Sequence, residues 1–221
     1  MKRAIIESRP YLLMSLLFGI SYFFVKDGNI PGMYLMLWKG AAVSFLAIYA
    51  FRRGPGLDGR LIALVMAFGA VGDMLIEIDL IAGAIAFTVG HSIAIALYSR
   101  YRRSEMTFSQ KLFAILLVPV TIFIAWSLPH ERSEALGLAV YSLFLATMAA
   151  TAWTSRFPRY RVGVGALLFV ISDLLIFSQM GFLQNSNIPG LTIWPLYYVG
   201  QFLIVTGVIR TLREDMAIPN P

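Results

Sequence analysis

The chain is built from long apolar runs broken by short polar interruptions. A helix needs about 20 mostly apolar residues to cross a bilayer. Eight runs reach or approach that length: residues 11–25, 33–51, 61–78, 80–99, 108–128, 135–153, 162–180 and 191–212. The pattern predicts an all-α polytopic membrane protein with eight transmembrane helices. The first run is short. The third and fourth nearly touch, and Glu77 and Asp79 sit where a tight hairpin between them would reach water. An unbroken helix there would be about twice the length a bilayer needs.

Composition supports this reading. Hydrophobic residues make up 58% of the 221 and charged residues 14%, against roughly 45–50% and 25% in soluble domains. So short a chain cannot bury that much apolar surface in its own core, which excludes a soluble enzyme, a disordered tail and a nucleic-acid-binding module. Cysteine is absent, which excludes disulfides, thiolate zinc sites and cysteine nucleophiles. Lys2 and Arg3 precede the first run, but no small-residue cleavage site follows before Lys26, so that run is expected to stay.

The net charge of +6 reflects topology. With eight spans, Lys2, Arg3, Arg9, Arg52, Arg53, Arg60, Arg100, Arg102, Arg103, Lys111, Arg156, Arg159, Arg161, Arg210 and Arg213 fall on one side. Lys26 and Arg132 fall on the other, and Lys39 lies inside the second span. Positive charge accumulates in cytoplasmic loops. Both termini are therefore expected in the cytoplasm of a protein of the bacterial inner membrane, with lipid rather than nucleic acid as its partner.

An internal echo runs through the spans. Gly72-Asp73-Met74-Leu75-Ile76 in the third matches Ser172-Asp173-Leu174-Leu175-Ile176 in the seventh. Four spans separate the two, as a parallel four-plus-four duplication would leave them, with half-repeats 1–105 and 106–221 inside one membrane domain.

Ionisable side chains at membrane depth are costly and point to function. They are Lys39, Asp73, Glu77, His91 and Asp173. At about 1.5 Å per residue, Asp73, His91 and Asp173 each lie roughly 17–18 Å from one end of their spans, and Lys39 and Tyr198 about 9–10 Å below the outer surface, with Gln201 a turn deeper. These positions share one layer between the midplane and the outer half. Simpler readings compete with function. Asp73 could pair with Lys39 only to hold helices together, Glu77 could be a solvated helix end, and His91 could be a packing residue. Tyr197 and Tyr198, like Trp38 and Trp194, could belong to an interfacial aromatic belt. Ala82, Ala86 and Gly90 have the spacing of a close helix contact, and His130 is assigned no role. With one intramembrane histidine, a zinc site is not expected, and no nucleophile elbow appears. The remaining chemistry is acid–base: two aspartates in unequal surroundings can act as acid and base at neutral pH.

At these residues the sequence resembles the YhhN-like lysoplasmalogenases, eight-span membrane proteins. The matching stretches are Gly-Asp-Met-Leu-Ile at 72–76, Ala-Phe-Thr-Val-Gly-His at 86–91 with Tyr98 beyond, Gly-Ala-Leu-Leu-Phe-Val-Ile-Ser-Asp-Leu-Leu at 165–175 and Tyr-Tyr-Val-Gly-Gln-Phe-Leu-Ile at 197–204. Lys39 fits the family's lysine in the second span, although Gly40 stands where the family often has proline. The resemblance implies hydrolysis of the vinyl ether bond of lysoplasmalogens to a fatty aldehyde and glycerophosphocholine or glycerophosphoethanolamine, without an organic cofactor. Asp73 and Asp173 would be the acid–base pair, as paired carboxyls are in glycoside hydrolysis. His91 would relay protons or orient one of them, and Lys39 would keep one carboxylate ionised. Glu77, Tyr197, Tyr198 and Gln201 would serve the lysophospholipid substrate or water. Midplane carboxylates in a parallel repeat also describe a proton-coupled transporter of a small molecule or lipid. A lipid-binding protein without turnover is the third reading.

Overall fold

The computed structural model describes residues 2–217, with side chains from residue 10 onward. The side chains of Lys2, Arg3 and Arg9, which entered the orientation argument, lie outside the described residues. Among those described, the chain forms eight helices and no strand: α1 (Lys2–Val25), α2 (Gly32–Arg53), α3 (Gly56–Leu75), α4 (Leu80–Arg100), α5 (Phe108–Ser127), α6 (Arg132–Thr154), α7 (Val164–Ser178) and α8 (Ile188–Ala217). A π-helical turn at Arg159–Gly163 leads directly into α7.

Each apolar run is met by a helix, but the ends differ. A hydrophobic run marks what lipid can cover, whereas a helix continues until its backbone groups find other partners. Thus α1 begins at Lys2 and α8 reaches Ala217. The hairpin between the third and fourth runs is present. Backbone turns over residues 76–78 end α3, and the Asp79 carboxylate accepts from the Ala82 N–H at 2.7 Å, capping α4. Among the described residues six helical stretches are long and apolar enough to cross a membrane: α2, α4, α5, α6, the π turn with α7, and α8. The apolar part of α1, Pro10–Val25, is shorter. α3 carries Asp58, Arg60 and Asp73 within its 20 residues.

The outward faces are apolar. Leu17, Phe24, Ile85, Ile115 and Phe123 are each more than half exposed. Exposed apolar surface on this scale is a liability in water and costs nothing in lipid. Hydroxyls within the helices turn back on their own backbone: Thr88 donates to the Ala84 carbonyl, Ser92 to Thr88, Thr151 to Thr147 and Thr206 to Phe202. In a medium without water this satisfies a polar group locally.

The helices form two compact units, one of residues 1–94 with 208–221 and the other of residues 95–207. In the first, α2 packs between α1 and α3. The Ser15 hydroxyl of α1 donates to the Ala42 carbonyl of α2 at 2.7 Å, and the Trp38 indole donates to Ser21 at 3.0 Å. α4 lies against the end of α3 at Gly83, beside Ile76, and against α3 at Gly90, beside Phe68 and the Val65 carbonyl; of the expected stripe Gly90 makes the close contact, Ala86 is buried and Ala82 is half-buried. In the second unit, α6 packs against α5 and α7. There α7 and α8 approach until their backbones nearly touch: a Cβ on Gly165 would lie 2.7 Å from the Gly200 carbonyl oxygen, and one on Gly200 equally close to that of Gly165.

Candidate functional site

The candidate residues fall into two groups, one in each unit. In the first, Gly40 lets α2 approach α3, where any larger residue would strike the Met74 side chain. This approach brings Lys39 to the end of α3. Its ammonium contacts the Glu77 carboxylate at 2.6 Å. The Lys39 side chain is largely buried, and that of Glu77 is 43% exposed. The ion pair of Lys39 is with Glu77; a salt bridge across helices depends on their rotation, which hydropathy does not encode. Glu77 is likewise more than a solvated helix end.

Asp73 sits one turn earlier, in the last turn of α3, and is buried. The buried Tyr22 of α1 is within electrostatic reach of Glu77, Asp73 and Asp27. On α4, His91 is buried with its ring stacked on Phe87, centroids 6.4 Å apart. The first group thus gathers a buried carboxyl, a cation–carboxylate pair at its edge and a tyrosine.

The second group centres on Asp173 in α7. It too is buried, and its Oδ2 accepts from the Tyr141 hydroxyl of α6 at 2.5 Å. The Tyr141 ring is held edge-on by Phe177, 5.9 Å away. Next to Asp173, Ser172 donates to the Ile193 carbonyl at 3.0 Å and ties α7 to α8. On α8, Trp194, Tyr197, Tyr198 and Gln201 are all buried. Trp194 stacks on Tyr198 with centroids 5.8 Å apart, Phe169 lies 5.0 Å from Tyr197, and the Gln201 amide donates to the Tyr197 hydroxyl at 3.2 Å. Burial overturns the belt reading for Trp194, Tyr197 and Tyr198, because belt residues face lipid headgroups. These side chains instead line α8 as an aromatic wall with a polar tip.

Neither Tyr141 nor Tyr22 is among the expected site residues. A tyrosine in an apolar span reads as packing, and its carboxyl partner lies on another helix. The one available signal is that a buried phenol needs a hydrogen-bond partner. Among the described residues no three His, Cys, Asp or Glu side chains gather as a metal site would need.

Long apolar helices that bury carboxyl groups define an integral membrane protein with ionisable side chains inside its spans. Within that class, the family described as the YhhN family matches residues 34–208, and the chain belongs to it. Two relatives, each named lysoplasmalogenase, come from Mycobacterium bovis and Mycobacterium tuberculosis. Each is 25% identical over 194 residues, covering 83% of this chain and 74% of the relative. No solved structure matches the chain.

Proposed function

We propose that this protein hydrolyses the vinyl ether bond of lysoplasmalogens, releasing a fatty aldehyde and glycerophosphocholine or glycerophosphoethanolamine. Family membership and the two relatives named lysoplasmalogenase support a hydrolase of this class. The observation that carries the mechanism is the pair of aspartates, Asp73 and Asp173, each buried in an apolar helix.

The reaction needs an acid and a base. An acid protonates the alkene carbon remote from oxygen, the double-bond electrons shift, and an oxocarbenium ion forms at the ether carbon. Water adds there as a base takes its proton. The resulting hemiacetal collapses, the carbon–oxygen bond to glycerol breaks, and the glycerol oxygen gains a proton. Consumption is one water per aldehyde, with no redox change. Asp73 and Asp173 carry the acid and base work, as paired carboxyls do in glycoside hydrolysis. Tyr141 orients Asp173. His91 assists proton movement in the first group. The Lys39–Glu77 pair suits the phosphate and ammonium of a lipid headgroup, and the Tyr197–Gln201 pair offers hydrogen bonds to the glycerol backbone or to water. The eight helices are eight spans with both termini in the cytoplasm of the bacterial inner membrane, and the chain is one membrane domain of two half-repeats.

Detergent-purified protein given lysoplasmenylcholine and the matching acyl lysophosphatidylcholine tests this reading. Aldehyde from the first and no fatty acid from the second is the expected outcome. No product from either, in folded protein, contradicts it and favours the proton-coupled transporter, which solute uptake into proteoliposomes would then reveal.

A further inference from the structure

The second unit holds another cluster of ionisable groups that acid–base chemistry at Asp173 does not use. The loop after α4 and the loop after α6 are bound together. Arg102 and Ser155 form an antiparallel bridge, the Arg103 N–H donates to the Thr154 carbonyl at 3.0 Å, and the Arg156 N–H donates to the Tyr101 carbonyl at 2.8 Å. Phe157 is fully buried beneath them, its ring 6.0 Å from Tyr98 and 4.9 Å from Tyr101.

This frame fixes two arginines. Arg103 donates through Nε to the Ser155 carbonyl at 3.2 Å and through Nη2 to the Phe157 carbonyl at 3.5 Å. Arg159, at the start of the π turn, donates through Nε to the Trp153 carbonyl at 3.4 Å and rests its guanidinium over the Trp153 ring at 5.4 Å. Burial, and then the nearby charge of Arg159, hold the Arg103 guanidinium below its usual pKa. Among the described residues neither arginine has an acidic partner, and Arg159 Nη2 is enclosed without a hydrogen-bond partner.

A merely solvated basic loop would leave its guanidiniums in water. Here carbonyls of residues 153, 155 and 157 and the Trp153 ring anchor two like charges along one short segment, with one N–H buried and unsatisfied. Both features cost free energy. An anion with several acceptor oxygens removes both costs, and guanidinium forks match the oxygens of phosphate. Asp173 lies about 20 Å further along the same helical run, so the cluster is separate from it.

We propose that Arg103 and Arg159 form a binding site for a phosphate group, supplied by the headgroup of an anionic phospholipid or by free phosphate. The test is the melting temperature of the full chain in phosphatidylcholine nanodiscs. Phosphatidylglycerol is added to the bilayer in one arm, and inorganic phosphate replaces chloride at matched ionic strength in the other. At least one addition should raise the wild-type Tm by about 2–4 °C, as binding to the folded state alone does. A rise in the first arm only identifies a lipid source, in the second only a soluble one, and in both the shared phosphate chemistry. The rise should vanish in Arg103→Gln and Arg159→Gln and persist in Arg60→Gln, which removes an exposed charge elsewhere. No rise in the wild type, or an equal rise in all variants, overturns the site. If the variants do not fold, native mass spectrometry of the wild type decides: a retained adduct of one phosphatidylglycerol or one phosphate supports the site, and bare protein overturns it.

Discussion

Asp73 and Asp173 occupy the same place in two similar five-residue segments, yet their surroundings differ. Asp173 has a neutral hydrogen-bond partner, Tyr141, and sits on a helix bound to α8 by Ser172 and by the Gly165–Gly200 contact. Asp73 lies in the last turn of its helix, one turn from a Lys39–Glu77 pair whose carboxylate is partly open. Asp173 is held by the Tyr141 phenol, and Asp73 lies a turn from an ion pair and within electrostatic reach of the Tyr22 phenol. A duplicated motif that kept identical surroundings would supply two equivalent carboxyls. Unequal surroundings are what separates an acid from a base.

The comparison predicts graded effects. Replacing either carboxyl should cost most: Asp73→Asn and Asp173→Asn should each lower aldehyde release by about a thousandfold, the scale of lost acid–base catalysis. Equal thermal melts for wild type and variants would show the loss to be chemical. Full activity in either variant would reduce the account to a single carboxyl.

Tyr141→Phe tests the neutral side alone. It leaves a buried carboxyl oxygen without its donor, so stability should fall by about 1–2 kcal/mol. With Asp173 less well oriented, kcat should fall roughly ten- to a hundredfold while KM changes little. An unchanged kcat would make Tyr141 a packing residue.

Gly165→Ala or Gly200→Ala tests whether the rigidity around Asp173 comes from the close helix approach. Each adds a methyl against a carbonyl oxygen and should cost about 1–3 kcal/mol in a thermal melt. Gly137→Ala, where nothing lies within 4 Å, should be neutral or slightly stabilising.

The smallest effect belongs to the charged side. In Lys39→Gln the partly exposed Glu77 can be hydrated, so stability should change by less than about 1 kcal/mol. If the pair receives the headgroup, KM should rise by about tenfold or less with kcat unchanged. A large fall in kcat would place Lys39 nearer the chemistry than its contact with Glu77 implies.

The sequence made legible what hydropathy and charge encode locally. The eight apolar runs, the hairpin at Glu77 and Asp79, and the burial of Asp73, His91 and Asp173 all follow from where polar residues interrupt or enter apolar runs. Relations between helices were not legible. Lys39 meets Glu77 because Gly40 sets how close α2 comes to α3. Tyr141 reaches Asp173 because α6 presents that side to α7. Trp194, Tyr197 and Tyr198 have the composition of an interfacial belt, and only packing shows them turned inward. Helix ends were also missed, since α1 and α8 continue through polar residues that no longer register as apolar.

The central claim, that a vinyl ether is opened by protonation of its alkene carbon, is tested most directly by running the wild-type reaction on lysoplasmenylcholine in D2O, trapping the aldehyde by immediate reduction and weighing the product. The account predicts one deuterium on the carbon next to the former aldehyde, formed at a rate well above that of lipid alone. Product without deuterium at that carbon, or no product above the lipid background, would contradict it.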